Sequence, residues 1–102
     1  MAQLEIRWSK NSVRQINRIA EYIGEDSPVQ AKRVVELIFS APERVSENPR
    51  IGQIVPEFGL DQIREVRVYS YRIIYRFTDT HIEIAGVLHG RQLLTEERIS
   101  GG

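Results

Sequence analysis

Apolar and polar residues alternate strictly over residues 4–8, which read Leu-Glu-Ile-Arg-Trp. A period of two residues is typical of a half-buried strand, with Leu4, Ile6 and Trp8 facing inward. The spacing of apolar residues then becomes helical, through Val13, Ile16, Ile19, Ala20 and Ile23, while Arg14, Asn17, Arg18 and Glu21 fill the other face. We therefore predict a strand and then an amphipathic helix, capped by Ser9 or Asn11 and ended by Gly24 in the left-handed conformation.

A second helix begins with a strong start signal. Ser27 is a natural N-cap, Pro28 suits the first helical position, and Gln30 completes a capping box. Pro42 interrupts the apolar stripe and predicts a kink or a restart, because proline removes a backbone donor. The segment 48–52, Asn-Pro-Arg-Ile-Gly, ends the helix. Few residues join the two helices, so we expect them to pack as an antiparallel hairpin.

Strand patterns replace helical ones in the second half of the chain. Residues 52–60 read as a loop, and strands are predicted at 64–68, 71–77 and 81–89 with short turns between them. One face of the second of these strands carries Tyr71, Ile73, Tyr75 and Phe77, and one face of the third carries Ile82, Ile84 and Leu88. The prediction is an α+β domain over residues 1–102: an N-terminal strand, an antiparallel helix hairpin, then a three-stranded antiparallel meander. Tyr71, Ile73, Tyr75, Ile82 and Ile84 should lie under the helices.

Composition narrows the function classes. The 102 residues contain no cysteine, which excludes a disulfide framework, a thiol nucleophile and a thiolate zinc site. No apolar run is long enough to span a membrane and no signal peptide is recognisable, so we expect a cytoplasmic protein. Fourteen basic and fourteen acidic residues give a formal net charge of zero. Any contact with nucleic acid therefore has to come from a local basic patch.

The candidate chemistry lies on the predicted meander. With the helices on one sheet face, the other face is open or capped by a partner, and it should carry Arg72, Arg76, His81, Glu83 and His89, with Arg64, Arg67 and Arg91 nearby in sequence. Arginines on such a face suit phosphate, because the guanidinium fork binds oxyanions bidentately. The alternative is a cross-strand ion pair between Arg76 and Glu83 on a solvated face. His89, at a strand end, could transfer a proton, although a single histidine there is more often structural. No metal site, glycine-rich phosphate loop or serine nucleophile is recognisable, so no metal and no cofactor are expected.

The order of elements resembles the RelE/ParE toxins of bacterial toxin–antitoxin systems. Three local signatures carry the resemblance: the segment 47–52 (Glu-Asn-Pro-Arg-Ile-Gly), the strand pair 64–68 with 71–75, and the closing 87–91 (Val-Leu-His-Gly-Arg). Their order and spacing cover nearly all of residues 3–94. The resemblance implies a toxin that a cognate antitoxin neutralises by wrapping its surface.

The resemblance also implies two possible activities. RelE-like members cleave mRNA on the ribosome, and in that case Arg72 and Arg91 match arginines that stabilise charge, with His89 as proton-transfer group. ParE-like members inhibit DNA gyrase and are not nucleases. Glu65 falls where RelE members carry a basic side chain, although Arg67 falls at another basic position, and no tyrosine follows Arg91. We therefore favour the ParE-like interpretation, with Arg64, Arg67 and Arg76 as binding residues. The alternatives are the nuclease and a non-toxic member that only binds its antitoxin.

Overall fold

Strands and helices follow one another in the predicted α+β order in a computed structural model that describes residues 3–90, 92 and 94–99. The elements are β1 (Glu5–Trp8), α1 (Lys10–Gly24), α2 (Pro28–Ser40), α3 (Pro42–Glu47), β2 (Gln53–Ile54), β3 (Ile63–Val68), β4 (Tyr71–Phe77), β5 (His81–His89) and α4 (Glu96–Ile99). The N-terminal strand, the helix hairpin and the meander are thus confirmed. The short strand β2 lies inside the predicted loop, and α4 was not predicted.

The helix starts follow the sequence signals. Ser9 Oγ accepts a hydrogen bond of 3.0 Å from the Ser12 amide, and Ser27 Oγ accepts one of 3.1 Å from the Gln30 amide. Pro42 begins α3, which confirms the predicted restart. The left-handed conformation predicted for Gly24 is wrong, because the φ of Gly24 is not positive. The right-handed helical conformation extends to Glu25, whose amide donates a hydrogen bond to Glu21 O.

The sheet has the strand order β1-β5-β4-β3-β2. Strands β2 to β5 are antiparallel to their neighbours, whereas β1 runs parallel to β5, with Glu5 opposite His81 and Trp8 opposite Ile84. A parallel pair requires a long crossover, and here the helices and the meander together provide it.

The helices cover one sheet face, and the predicted register is confirmed there. Ile73, Tyr75, Ile82 and Ile84 are fully buried in the main core, and Tyr71 packs at its margin. The Tyr75 hydroxyl donates to Pro49 O at 2.6 Å and accepts from the Gly52 amide at 3.0 Å. This buried phenol is therefore hydrogen-bonded both as a donor and as an acceptor.

A β-bulge in β5 changes which side chains share a face. Tyr75 lies opposite Ile84 but Ile74 lies opposite Gly86, so Ala85 is an extra residue without a partner in β4. Beyond it the alternation is shifted by one residue. The prediction that Leu88 shares a face with Ile82 and Ile84 is therefore wrong: Val87 joins the main core and Leu88 lies on the opposite face.

That opposite face carries a second apolar cluster instead of an open polar surface. The cluster consists of Val55, Ile74, Ala85, Leu88, Leu94 and Ile99, with Phe58 and Ile63 packed against it. The β2–β3 loop supplies Val55 and Phe58, and the C-terminal segment supplies Leu94 and Ile99. The chain itself therefore covers much of the sheet face on which an arginine surface was expected.

Candidate functional site: the arginines and His89 of the sheet

Arg72 lies near the start of β4, on the face turned away from the helix hairpin, and is only 5% exposed. Its Nε donates to Glu65 Oε2 at 2.5 Å. Its two terminal nitrogens donate to the two carboxylate oxygens of Glu57, at 2.9 and 3.0 Å. Two carboxylates thus surround one guanidinium, and Glu57 occupies the bidentate fork that a phosphate would use.

Glu57 and Arg72 each stabilise the charged form of the other. The hydrogen bond from Arg72 lowers the pKa of the Glu57 carboxyl, and the hydrogen bond to Glu57 raises the pKa of Arg72, while burial opposes both shifts. Separating a buried guanidinium from its carboxylates leaves uncompensated charge, which costs more than the pair gains. Arg72 is therefore poorly placed to leave its partners for an external phosphate.

Arg67 and Arg64, both predicted as binding residues, lie in different surroundings. Arg67 is directly opposite Arg72 in the β3–β4 register, is more exposed, and has its Nη2 3.9 Å from Glu65 Oε1. Arg64 is largely buried at the sheet edge. Its Nη2 donates to Asp61 Oδ1 at 2.6 Å and its Nη1 to Gly52 O at 2.9 Å. Arg64 thus fixes the loops around β2, and Arg67 is the more accessible of the two.

Arg76 forms the cross-strand ion pair that was the alternative interpretation. Its Nε lies 3.6 Å from Glu83 Oε1, and its Nη2 donates to Ile99 O at 3.4 Å. The second contact ties the sheet to the C-terminal helix. Both partners of the ion pair are partly exposed, so the pair itself adds little stability.

His89, at the end of β5, lies on the helix side of the sheet. Its ring meets the Tyr71 ring edge-on, with centroids 5.7 Å apart and an interplanar angle of 87°. Tyr71 belongs to the helix-facing side, and burial raises the pKa of its phenol. The expectation that His89 shares a face with Arg72 is wrong, because the bulge at Ala85 shifts the alternation of β5.

The residues implied for a nuclease are therefore not assembled around one phosphate in the described part of the chain. Arg72 and His89 lie on opposite faces of the sheet. The third member, Arg91, lies outside the described residues, and its role stays a prediction. Among the residues whose side chains are described, no group of three or more acidic or histidine residues could hold a metal ion. None of the helices described is long and apolar enough to cross a membrane.

A large groove lies at the other end of β4 from Arg72. It has a volume of about 1060 Å³ and includes Arg50, Asp61, Phe77 and Asp79 in its lining. The Arg50 guanidinium sits 5.2 Å from the Phe77 ring centroid and 2.8 Å from Asp61 Oδ2. Arg50 is thus already held by a carboxylate and a ring, which does not favour this groove as an anion site.

Two features of the structure were not predicted from the sequence. Glu57 has no recognisable signal, since it lies in a loop 15 residues from the arginine it neutralises. Lys10, Arg14 and Arg18, by contrast, form a basic row on the outer side of α1. Their spacing of four residues is readable in the sequence, and a search for charges at helical spacing would have found it.

The chain matches the family model described as "ParE toxin of type II toxin-antitoxin system, parDE" over residues 6–94. It is also similar to a Sinorhizobium fredii protein named "Putative toxin Y4kP". The two are 32% identical over 94 residues, which is 90% of this chain and 94% of the relative.

Solved structures of low sequence identity share the fold. A chain of the chromosomal ParDE system from P. aeruginosa has a TM-score of 0.70 at 14% identity, covering 85% of this chain and 96% of that one. A double arginine mutant of the E. coli toxin RelE, in the free state, has a TM-score of 0.65 at 16% identity, covering 88% and 86%. A chain of the Mycobacterium tuberculosis complex RelBE2 has a TM-score of 0.59 at 23% identity, covering 86% and 99%.

The family match spans most of the chain, and the Sinorhizobium relative matches it nearly end to end. A match of this extent identifies the family, and membership of a toxin–antitoxin family implies a cognate antitoxin as partner. The chain therefore belongs to the ParE toxin family and is a type II toxin of the RelE/ParE superfamily.

Proposed function

We propose that this toxin is a ParE-like inhibitor of DNA gyrase and that it does not cleave RNA. The observation that carries the proposal is the state of Arg72, a buried guanidinium already neutralised by Glu57 and Glu65. Cleavage of RNA requires groups that stabilise new negative charge as the transition state forms. A guanidinium held by two carboxylates has little positive potential left for that task.

The position of His89 supports the same proposal. General acid–base catalysis needs the proton-transfer group within hydrogen-bond reach of the reacting atoms. His89 packs against Tyr71 on the helix side, whereas Arg72 lies on the other side of the sheet. This arrangement does not favour contact of a single scissile phosphate with both groups. Inhibition of an enzyme by surface binding needs neither group to perform chemistry.

Two assays on the purified toxin test the proposal. We expect inhibition of DNA supercoiling by purified gyrase and no cleavage of mRNA on translating ribosomes. His89→Gln should inhibit supercoiling as the wild type does, because no proton is transferred. Cleavage by the wild type that disappears in His89→Gln would overturn the proposal in favour of a ribosome-dependent nuclease. Failure of the wild type in both assays, with no growth arrest on induction, would point to a member that only binds its antitoxin.

A further inference from the structure

The outer side of α1 carries a row of three basic side chains. Lys10, Arg14 and Arg18 are spaced four residues apart, and all three are exposed. At 1.5 Å of rise per residue the row is about 12 Å long. Residues spaced in this way are neighbours on one helix face, so the three charges lie along nearly one line. Tyr22, which is 74% exposed, continues the same row by one turn.

This row is electrostatically unfavourable for the isolated helix. Like charges four residues apart repel each other, and Lys10 is in the first turn, where the helix dipole disfavours a cation. The first turn contains no acidic residue to offset Lys10. None of the three forms an ion pair with any carboxylate whose position the structure gives, although seven other basic residues do. The arrangement is not explained by the packing or the stability of α1.

We propose that this row binds the phosphate backbone of duplex DNA. The protein has a formal net charge of zero, so attraction of a polyanion depends on a local concentration of unpaired cations. Arginine and lysine side chains along a straight helix present such a concentration to successive phosphates. Single-stranded nucleic acid is a poorer fit, because its binding sites interleave cations with aromatic stacking platforms. Here only Tyr22 is available, and it stands at the end of the row.

The row is too short for strong or selective binding. Glu21 on α1 and Glu25 immediately after it follow Arg18 and limit the basic surface to about two turns. Three phosphate contacts give weak, sequence-independent affinity, with a strong dependence on salt. Such a contact suits a toxin whose target already holds DNA, as DNA gyrase does. This choice of target rests on the proposed gyrase function. The row would add affinity for the DNA that lies beside the gyrase surface to which the toxin binds.

Fluorescence anisotropy with a labelled 20-base-pair duplex of arbitrary sequence tests the proposal directly. The test variant is Arg14→Gln with Arg18→Gln. The matched control is Arg33→Gln with Arg44→Gln, which removes the same charge from exposed arginines on α2 and α3. Binding is measured between 50 and 200 mM salt, with thermal unfolding of every variant as a check on folding.

We expect measurable binding by the wild type at 50 mM salt, and a slope of log affinity against log salt that falls by about 1.8 in the test variant. The control should retain the wild-type slope. Absence of duplex binding at 50 mM salt overturns the inference, as does equal loss in the control or tighter binding of the single strand. Equal binding of duplex RNA would overturn the assignment to DNA. Supercoiling inhibition without duplex binding refutes this inference alone, whereas duplex binding without inhibition refutes the proposed gyrase function alone.

Discussion

Gln15 Oε1 accepts a hydrogen bond of 2.7 Å from the Val87 amide, so a side chain of α1 replaces a missing strand neighbour of β5. The parallel pairing of β1 with β5 ends at Trp8 opposite Ile84, and beyond it the edge of β5 would be unpaired. Gln15 Nε2 also donates to Arg98 O at 2.9 Å. The side-chain amide of Gln15 thus provides an acceptor for the edge of β5 and a donor to the C-terminal helix.

We expect Gln15→Leu to destabilise the protein by about 1–3 kcal/mol, because the Val87 amide loses its acceptor in a partly buried place, whereas the Arg98 carbonyl keeps a hydrogen bond from Asn11 Nδ2. Gln15→Glu keeps the acceptor and loses the donor, so it should retain protection of Val87 and weaken the C-terminal contact. Hydrogen exchange at Val87 separates the two variants. Unchanged protection of Val87 in Gln15→Leu would show that another group satisfies this amide.

Arg72→Met should be among the most damaging substitutions in the sheet. It leaves the buried Glu65 carboxylate without its close partner, and we expect a loss of roughly 3–5 kcal/mol in the free energy of unfolding. Adding Glu65→Leu removes the unpaired charge and should restore at least half of that loss. Denaturant titration of the single and double variants checks both values. A single variant as stable as the wild type would mean that Arg72 is not a structural residue.

Acid should weaken the attachment of the β2–β3 loop. The pKa of Glu57 is lower in the folded protein than its ordinary value of 4.5, chiefly because of the hydrogen bond from Arg72. A carboxyl with a lowered folded-state pKa stabilises the fold above its unfolded pKa, and this contribution is lost as pH falls through the folded value. The melting temperature should therefore drop below about pH 4.5 more steeply in the wild type than in Glu57→Gln. Parallel pH profiles of the two proteins would contradict this account.

Gly86 should not tolerate a side chain. A Cβ at this position would lie 2.8 Å from Arg98 O and 3.0 Å from Ile99 Cγ2. We expect Gly86→Ala to displace the C-terminal helix and to cost about 1–3 kcal/mol. Gly24→Ala is the matched control, since a Cβ there meets nothing closer than Ala31 Cβ at 3.8 Å in a helical backbone. The control should gain up to about 1 kcal/mol, and both changes can be measured by thermal unfolding.

The elements of the fold were predictable wherever one face of each was buried. Apolar and aromatic residues at every second position from Tyr71 to Phe77 predict a strand, the capping signal at Ser27 predicts a helix start, and both are confirmed. The end of β5 was not predictable in this way. Its run Ala85-Gly86-Val87-Leu88 is apolar throughout, because residues on both faces pack against protein, and such a run does not show where the alternation shifts.

The candidate site was less predictable than the fold for the same physical reason. Whether an arginine faces solvent or a carboxylate depends on which loop folds over it. The sequence predicts that Arg72 lies on a strand, but nothing in it indicates that the loop residue Glu57 will pair with Arg72. The basic row of α1 depends only on helical spacing within one element, so it could be recognised from the residues alone.

The pairing of β1 with β5 has a consequence for how this toxin emerges during synthesis. The first strand has no neighbour in the sheet until His81–Ile84 has been made, so the sheet cannot be completed while earlier parts of the chain leave the ribosome. Contacts between such distant segments are the slow ones in folding. The toxin should therefore complete its sheet only after β5 has been synthesised. That interval gives an antitoxin made at the same time the chance to meet the chain as it folds.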